Sequence, residues 1–212
     1  MIRNGSSLFH APYRPIKNMA PKKLNSGGAS YGLSEAGYDI RLKQDIRFNP
    51  ALFHMTGSMV RGPQHWIDDG PLKPGNFCLA SAMEEFHMPL NLVGIVHDKS
   101  TWARKGLSVF NTVIEPGWKG FLTLELVYHG SEDLMLPAGT GIAQVIFHQI
   151  TDPIAYDGKY QNQEDRPVDS IFSQDDHELN DWRSYTATDC PDCGQPQYEC
   201  PSGVTCDNGH GY

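Results

Sequence analysis

The sequence predicts an all-β domain, a barrel or sandwich of short strands, on three observations. From Tyr38 to about Ile150, apolar runs of strand length recur with β-branched or large side chains. Breakers such as Lys73-Pro74-Gly75 and Glu115-Pro116-Gly117 separate them. Gly 21 and Pro 15 in 212 residues favour a turn-rich β architecture over a helical bundle.

Taken in order, residues 1–30 are basic, contain prolines and end in Asn25-Ser26-Gly27-Gly28, which reads as irregular chain. The strand-like runs are Tyr38 to Leu42, Phe77 to Ala80, Leu92 to Val96, Leu122 to Val127 and Ile142 to Phe147. One short helix is expected from Ser100 to Lys105, between two of these runs. The expected β domain therefore spans 31–150. Residues 151–189 are too polar for a core and read as an arm lying over something. Residues 190–212, rich in Gly, Pro, Asp and Cys, form an appendix.

A hydrophobic content of 39% with 20% charged residues describes an ordinary globular chain, long enough for one well-buried domain. The net charge of −8 argues against non-specific nucleic-acid binding, which needs a basic surface to release counterions. The N-terminus has no apolar leader core and no stretch approaches a membrane span, so a cytoplasmic protein without a membrane partner is expected. Cys78 stands alone in the body while the other four cysteines crowd the tail, a poor match to a disulfide framework.

Two clusters carry chemistry. In Asp98-Lys99-Ser100-Thr101-Trp102-Ala103-Arg104, a Val/Ile-rich run leads into two hydroxyls and a short helix, flanked by cations. Hydroxyls, amides at a helix start and positive charge make an anion site. The same residues also suit a helix capped by Ser100 with solvated basic neighbours. The second cluster runs from Ile114 to Leu126. Alternation places Leu122, Leu124 and Leu126 on one face and Phe121, Thr123 and Glu125 on the other. The leucine face belongs to the core, so Glu125 looks into a cavity or into solvent. A solvated strand carboxylate is the ordinary case. In a partly desolvated cavity its pKa would rise and it could shuttle protons.

Lys99-Ser100-Thr101-Trp102-Ala103-Arg104-Lys105-Gly106-Leu107 resembles the signature of the dCTP deaminase family, within the dUTPase-related superfamily. Glu115-Pro116-Gly117-Trp118, running on to Thr123-Leu124-Glu125, resembles that family's turn and catalytic strand. Gly139 to Phe147 resembles its next strand, and Gly158 to Gln163 its closing arm. Gly37 to Leu42 and Pro74 to Leu90 match its upstream segments, so the likeness covers residues 36–172 in unbroken order.

The resemblance implies a distorted, jelly-roll-like β-barrel of dUTPase type with short helices, assembled as a homotrimer with sites shared between subunits. It implies deamination of dCTP to dUTP. Glu125 would activate water and pass the proton to the leaving ammonia, while Ser100 and Arg104 would hold the water and the base-side network. Lys99, Ser100 and Thr101 would grip the triphosphate, Glu115 the deoxyribose, and Thr123 and Leu124 the cytosine edge through their backbone. Gln144 joins the substrate-binding set, and Tyr156, Lys159 and Gln163 would close on the phosphates. Mg²⁺ would arrive with the triphosphate.

Three departures bear on base specificity more than on phosphate binding. Only seven residues separate Leu107 from Glu115, a short loop for the family; Lys99 stands where Arg is common, and Glu115 where Asp is usual. A bifunctional enzyme giving dUMP and diphosphate, a dUTPase-like pyrophosphatase, and a silent nucleotide-binding regulator are the alternatives. A glycine-rich phosphate loop of the dUTPase kind is not found in the sequence. In the tail, Cys190, Cys193, Cys200 and Cys206 suggest a structural zinc site, although the second pair is spaced more widely than usual.

Overall fold

The computed structural model describes residues 1–49, 72–73, 77–172, 184–189, 196–200 and 203–206. They form two compact units, Met1–Asp169 and Ser170–Tyr212. In chain order the elements are β1 (Ile2–Arg3), α1 (Gly5–Phe9), β2 (Lys23–Ser26), β3 (Ala29–Leu33), β4 (Tyr38–Arg41), β5 (Ile46–Phe48), β6 (Leu72–Lys73), β7 (Phe77–His87), β8 (Leu92–Asp98), α2 (Ser100–Ala103), β9 (Leu107–Val109), β10 (Val113–Ile114), β11 (Lys119–Tyr128), β12 (Leu134–Leu136), β13 (Gly141–Gln149), β14 (Ser184–Asp189), β15 (Pro196–Cys200) and β16 (Gly203–Cys206). The all-β class expected from the sequence holds.

The first unit is built on β13. One edge pairs with β8 along Ala143 to Gln149; the other is divided between β4, which takes Gly141 to Val145, and β1, which takes Phe147 and His148. The sheet runs on through β3 and β2 on one side and ends at β10 on the other. A second sheet has the order β7-β11-β9, and a third β12-β5-β6. Val145 and Phe147 from the first sheet, and Leu124 and Leu126 from the second, belong to one continuous buried core. Leu124 lies opposite Ala80, and Leu126 opposite Cys78, all buried. Small partners let the leucines pack without strain.

Several local expectations need correction. Residues 1–30 are irregular only in part: Ile2 lies opposite His148, and Lys23 to Ser26 pair with Ala29 to Gly32. The pairing of β1 is with a strand more than a hundred residues away, which no local pattern announces. The run at Phe77 continues to His87 because Glu84 is not solvated. It is buried, accepts the Arg41 amide and Nε at 2.8 Å each, and so ties β7 to β4. Burial pushes the Glu84 carboxyl upward and the Arg41 hydrogen bonds oppose that push. The helix at Ser100 stops at Ala103, since Lys105 and Gly106 donate to Trp102 and Ala103 in tighter turns and Gly106 takes φ +86.

The polar stretch 151–189 divides. Its part up to Asp169 belongs to the first unit, whereas β14 pairs with β15 in the second. In that second unit β15 and β16 form a hairpin with Cys200 opposite Gly203 and Cys206 opposite Gln197. The two cysteines are therefore not a cross-strand pair. Cys190 and Cys193, the other two ligands expected for zinc, lie outside the described residues.

Among the described residues no helix is long and apolar enough to cross a membrane.

Candidate active site

Glu125 sits near the middle of β11. Its neighbours in the chain, Leu124 and Leu126, point into the core, so the alternation read from sequence is the arrangement found. On its own face it lies opposite Leu79 of β7, and its carbonyl accepts the amide of Phe110 at 3.0 Å. Oε2 is buried and has no hydrogen-bond partner among the described residues. Burial pushes the carboxyl above the ordinary carboxylate range, against a hydrogen bond from its own backbone. A carboxylate kept partly dry and unpaired is suited to taking a proton and giving it back.

The closing arm lies on the start of the same strand. Tyr156 donates its amide to Pro116, Asn162 to Lys119, and Phe121 to Gln163. Trp118 Nε1 donates to the Tyr160 carbonyl at 2.7 Å, and the Gln161 side chain bonds Lys119, Gly117 and Tyr156. Gln163 Oε1 faces both the amide and the hydroxyl of Thr123 at 3.4 Å, and that hydroxyl accepts the Val168 amide at 3.0 Å. Thr123 is thus engaged by the arm, one side-chain repeat before Glu125 on the same face. Leu124 is buried, so only its backbone could meet a ligand. Glu115 is exposed and opens a turn closed by Trp118 N to its carbonyl at 3.1 Å. Pro116 and Gly117, at φ +77, take the two central places. The Lys159 ammonium lies 5.5 Å from the Tyr160 ring centroid.

Gly120 is what lets the arm come this close. A Cβ there would stand 2.5 Å from Gln163 N, and its φ of +133 is unfavourable for any side chain. Gly120→Ala is expected to weaken arm docking by about 1–3 kcal/mol. Limited proteolysis checks this: cleavage within 156–168 should be at least about five-fold faster than in the wild type.

The other expected residues lie elsewhere on the chain. Gln144 stands opposite Asp39 and His97 on the outward face of the first sheet and donates to Ser34 Oγ at 2.9 Å. The Lys99 ammonium, expected to meet phosphate, instead bonds Asp39 Oδ2 at 2.6 Å, with side-chain exposures of 11% and 3%. Asp39 also accepts Ser30 Oγ at 3.1 Å. Ser100, Thr101 and Arg104 are exposed, and within the chain none of their side chains hydrogen-bonds or pairs with another described residue. The site residues thus fall into two groups in one chain. Glu125, Thr123, Glu115 and the arm gather on β11, while Lys99 and Gln144 meet at Asp39 with the hydroxyl-arginine turn beside them. Asp39, Gln161 and Phe110 were missed as site-forming residues, because only strand pairing and arm docking bring them in.

The described residues contain no convergent group of His, Cys, Asp and Glu able to hold a metal ion.

Fold and site geometry define an all-β domain that carries a half-buried carboxylate on a core strand. Residues 16–150 match the model of the family described as dCTP deaminase-like. A dCTP deaminase of Acidobacterium capsulatum is 32% identical over 163 residues, covering 70% of this chain and 87% of the relative. One from Campylobacter concisus is 35% identical over 163 residues, covering 70% and 86%. The chain belongs to the dCTP deaminase family. Among solved structures it is similar to native EIAV dUTPase, with 20% identity and a TM-score of 0.40, over 59% of this chain and 87% of that one. Sequence similarity alone carries the assignment.

Proposed function

We propose that this protein hydrolyses dCTP to dUTP and ammonia. The observation that carries the reading is Glu125, held by leucines on a core strand with one oxygen buried and unpaired. The ionised carboxylate takes a proton from water as the water oxygen bonds to C4 of cytosine and the C4=N3 π pair moves to N3. Glu125 gives that proton to N3, then carries the remaining hydroxyl proton to the exocyclic nitrogen; the C4–N bond breaks and ammonia leaves as the C4 carbonyl forms. Ser100 and Arg104 hold the attacking oxygen and stabilise developing charge. Thr101, Lys159 and Gln163 bind the triphosphate, which brings its own Mg²⁺ as part of the substrate. Tyr156 closes on the phosphates with the arm, and Glu115 borders the sugar.

The division of these residues within one chain supports a homotrimer with shared sites. Ser100 and Arg104 are exposed without side-chain partners among the described residues, and a second copy of the chain would bring them to Glu125. A deoxynucleoside triphosphate is an intracellular metabolite, so the cytoplasm is the setting proposed. The test is incubation of the full chain with Mg²⁺ and either dCTP or dUTP, followed by separation of products. dUTP and ammonia from dCTP, with dUTP left intact, are expected. dUMP from dCTP would make the enzyme bifunctional, and dUMP from dUTP alone would overturn deamination.

A further inference from the structure

One more group stands beside Glu125. Leu126 of β11 lies opposite Val109 of β9, and the Phe110 amide donates to the Glu125 carbonyl at 3.0 Å. Phe110 is therefore the cross-strand neighbour of Glu125, and Leu79 is the neighbour on the other side. Opposed residues of an antiparallel pair carry their Cβ atoms about 4.5–5.5 Å apart on one face. The ring of Phe77, which opposes Val127 further along that face, lies 6.4 Å from the Phe110 ring at 36°. This contact keeps the Phe110 ring on the Glu125 side of the sheet. Yet Phe110 is 53% exposed and Phe77 39%. An aromatic pair left open to solvent beside a dry carboxylate is apolar surface at the point where a base must arrive.

We propose that Phe110 is a specificity-determining residue, whose ring forms the wall against which cytosine lies when C4 reaches Glu125, with Phe77 holding that ring in place. This rests on the reading of Glu125 as the group acting at C4. A pyrimidine whose C4 is within hydrogen-bond reach of that carboxylate, directly or through one water, comes into van der Waals contact with a residue one cross-strand spacing away. C5 is bonded to C4, so a substituent at C5 is carried to the same wall. Phe110 begins the short connection between β9 and β10.

The experiment compares Phe110→Ala and Phe110→Trp with the wild type on dCTP and 5-methyl-dCTP. In Phe110→Ala, KM for dCTP should rise about ten-fold, with a smaller change in kcat, because a base–aromatic contact is lost. The ratio of kcat/KM for 5-methyl-dCTP over dCTP should rise several-fold as space opens, and it should fall in Phe110→Trp. Should Phe110→Ala fail to fold, the direction of the ratio in Phe110→Trp decides alone. Unchanged KM and an unchanged ratio in folded variants would overturn the proposal. Calorimetric titration with dCTP separates it from the function itself. If the wild type releases no ammonia but binds dCTP about ten-fold more tightly than Phe110→Ala, the wall stands and the deaminase reading falls.

Discussion

In Glu125→Gln, ammonia release from dCTP is expected to fall by about 10²- to 10⁴-fold, while dCTP affinity stays within a few-fold of wild type. The amide keeps the shape of the side chain and loses the ability to carry a proton. Leucines on either side hold it in the same place. The pH profile gives a second readout. Glu125 must be ionised to accept the water proton, and burial raises its pKa. The acid limb of kcat for the wild type should therefore lie above the ordinary carboxylate range.

Stability should respond in the opposite sense to activity. With a folded-state pKa above the unfolded one, the native protein binds more protons than the unfolded chain between the two values. Wild-type stability therefore declines as pH rises through that window, since a charge must be kept in a dry place. Glu125→Gln removes the decline. It should be the more stable protein at pH 8 and should lose that advantage below the unfolded-state pKa. Denaturant titrations at the two pH values measure this. A variant with full ammonia release would remove Glu125 from the mechanism.

The part of the site legible in sequence was the part encoded by short-range order. Leu122, Leu124 and Leu126 alternate with Glu125 within a single strand, so its face could be read directly. Glu115-Pro116-Gly117-Trp118 carries its own turn chemistry, and the hydrogen bond from Trp118 to Glu115 agrees with it. The arm could be placed as a covering element from its polarity, although not its seat against Gly120 and Thr123.

What remained hidden depends on groups far apart in the chain. Asp39 and Lys99 are 60 positions apart, and each alone reads as an ordinary surface charge. Glu84 interrupts an apolar pattern and looks like a strand end, until Arg41 from another strand is seen to satisfy it. The N-terminal strand has two residues, too few for any periodicity, and exists because β13 has a free stretch of edge beyond β4. Phe110 looked like one residue of a short loop. Only the register of β9 on β11 shows that it faces Glu125.

Asp39→Ala is expected to destabilise the protein by about 3 kcal/mol or more, because it strands a nearly buried ammonium without its partner. Lys99 is 11% exposed and Asp39 3%, so solvent screens the pair little. For a chain of this size that loss corresponds to a fall in Tm of roughly 6–12 °C. Asp39→Leu combined with Lys99→Met removes both charges and should recover most of the loss, since apolar replacement of a buried pair is often close to neutral. The pair of variants also divides the two roles open to Lys99. If its ammonium only fastens β4 to the turn before Ser100, the double variant keeps its dCTP affinity together with its Tm. If the ammonium leaves Asp39 for the triphosphate on binding, the double variant recovers its Tm and still binds dCTP at least about ten-fold more weakly. Thermal unfolding and dCTP titration on the same preparations separate these outcomes, because the first reads the fold alone and the second also reads the phosphate.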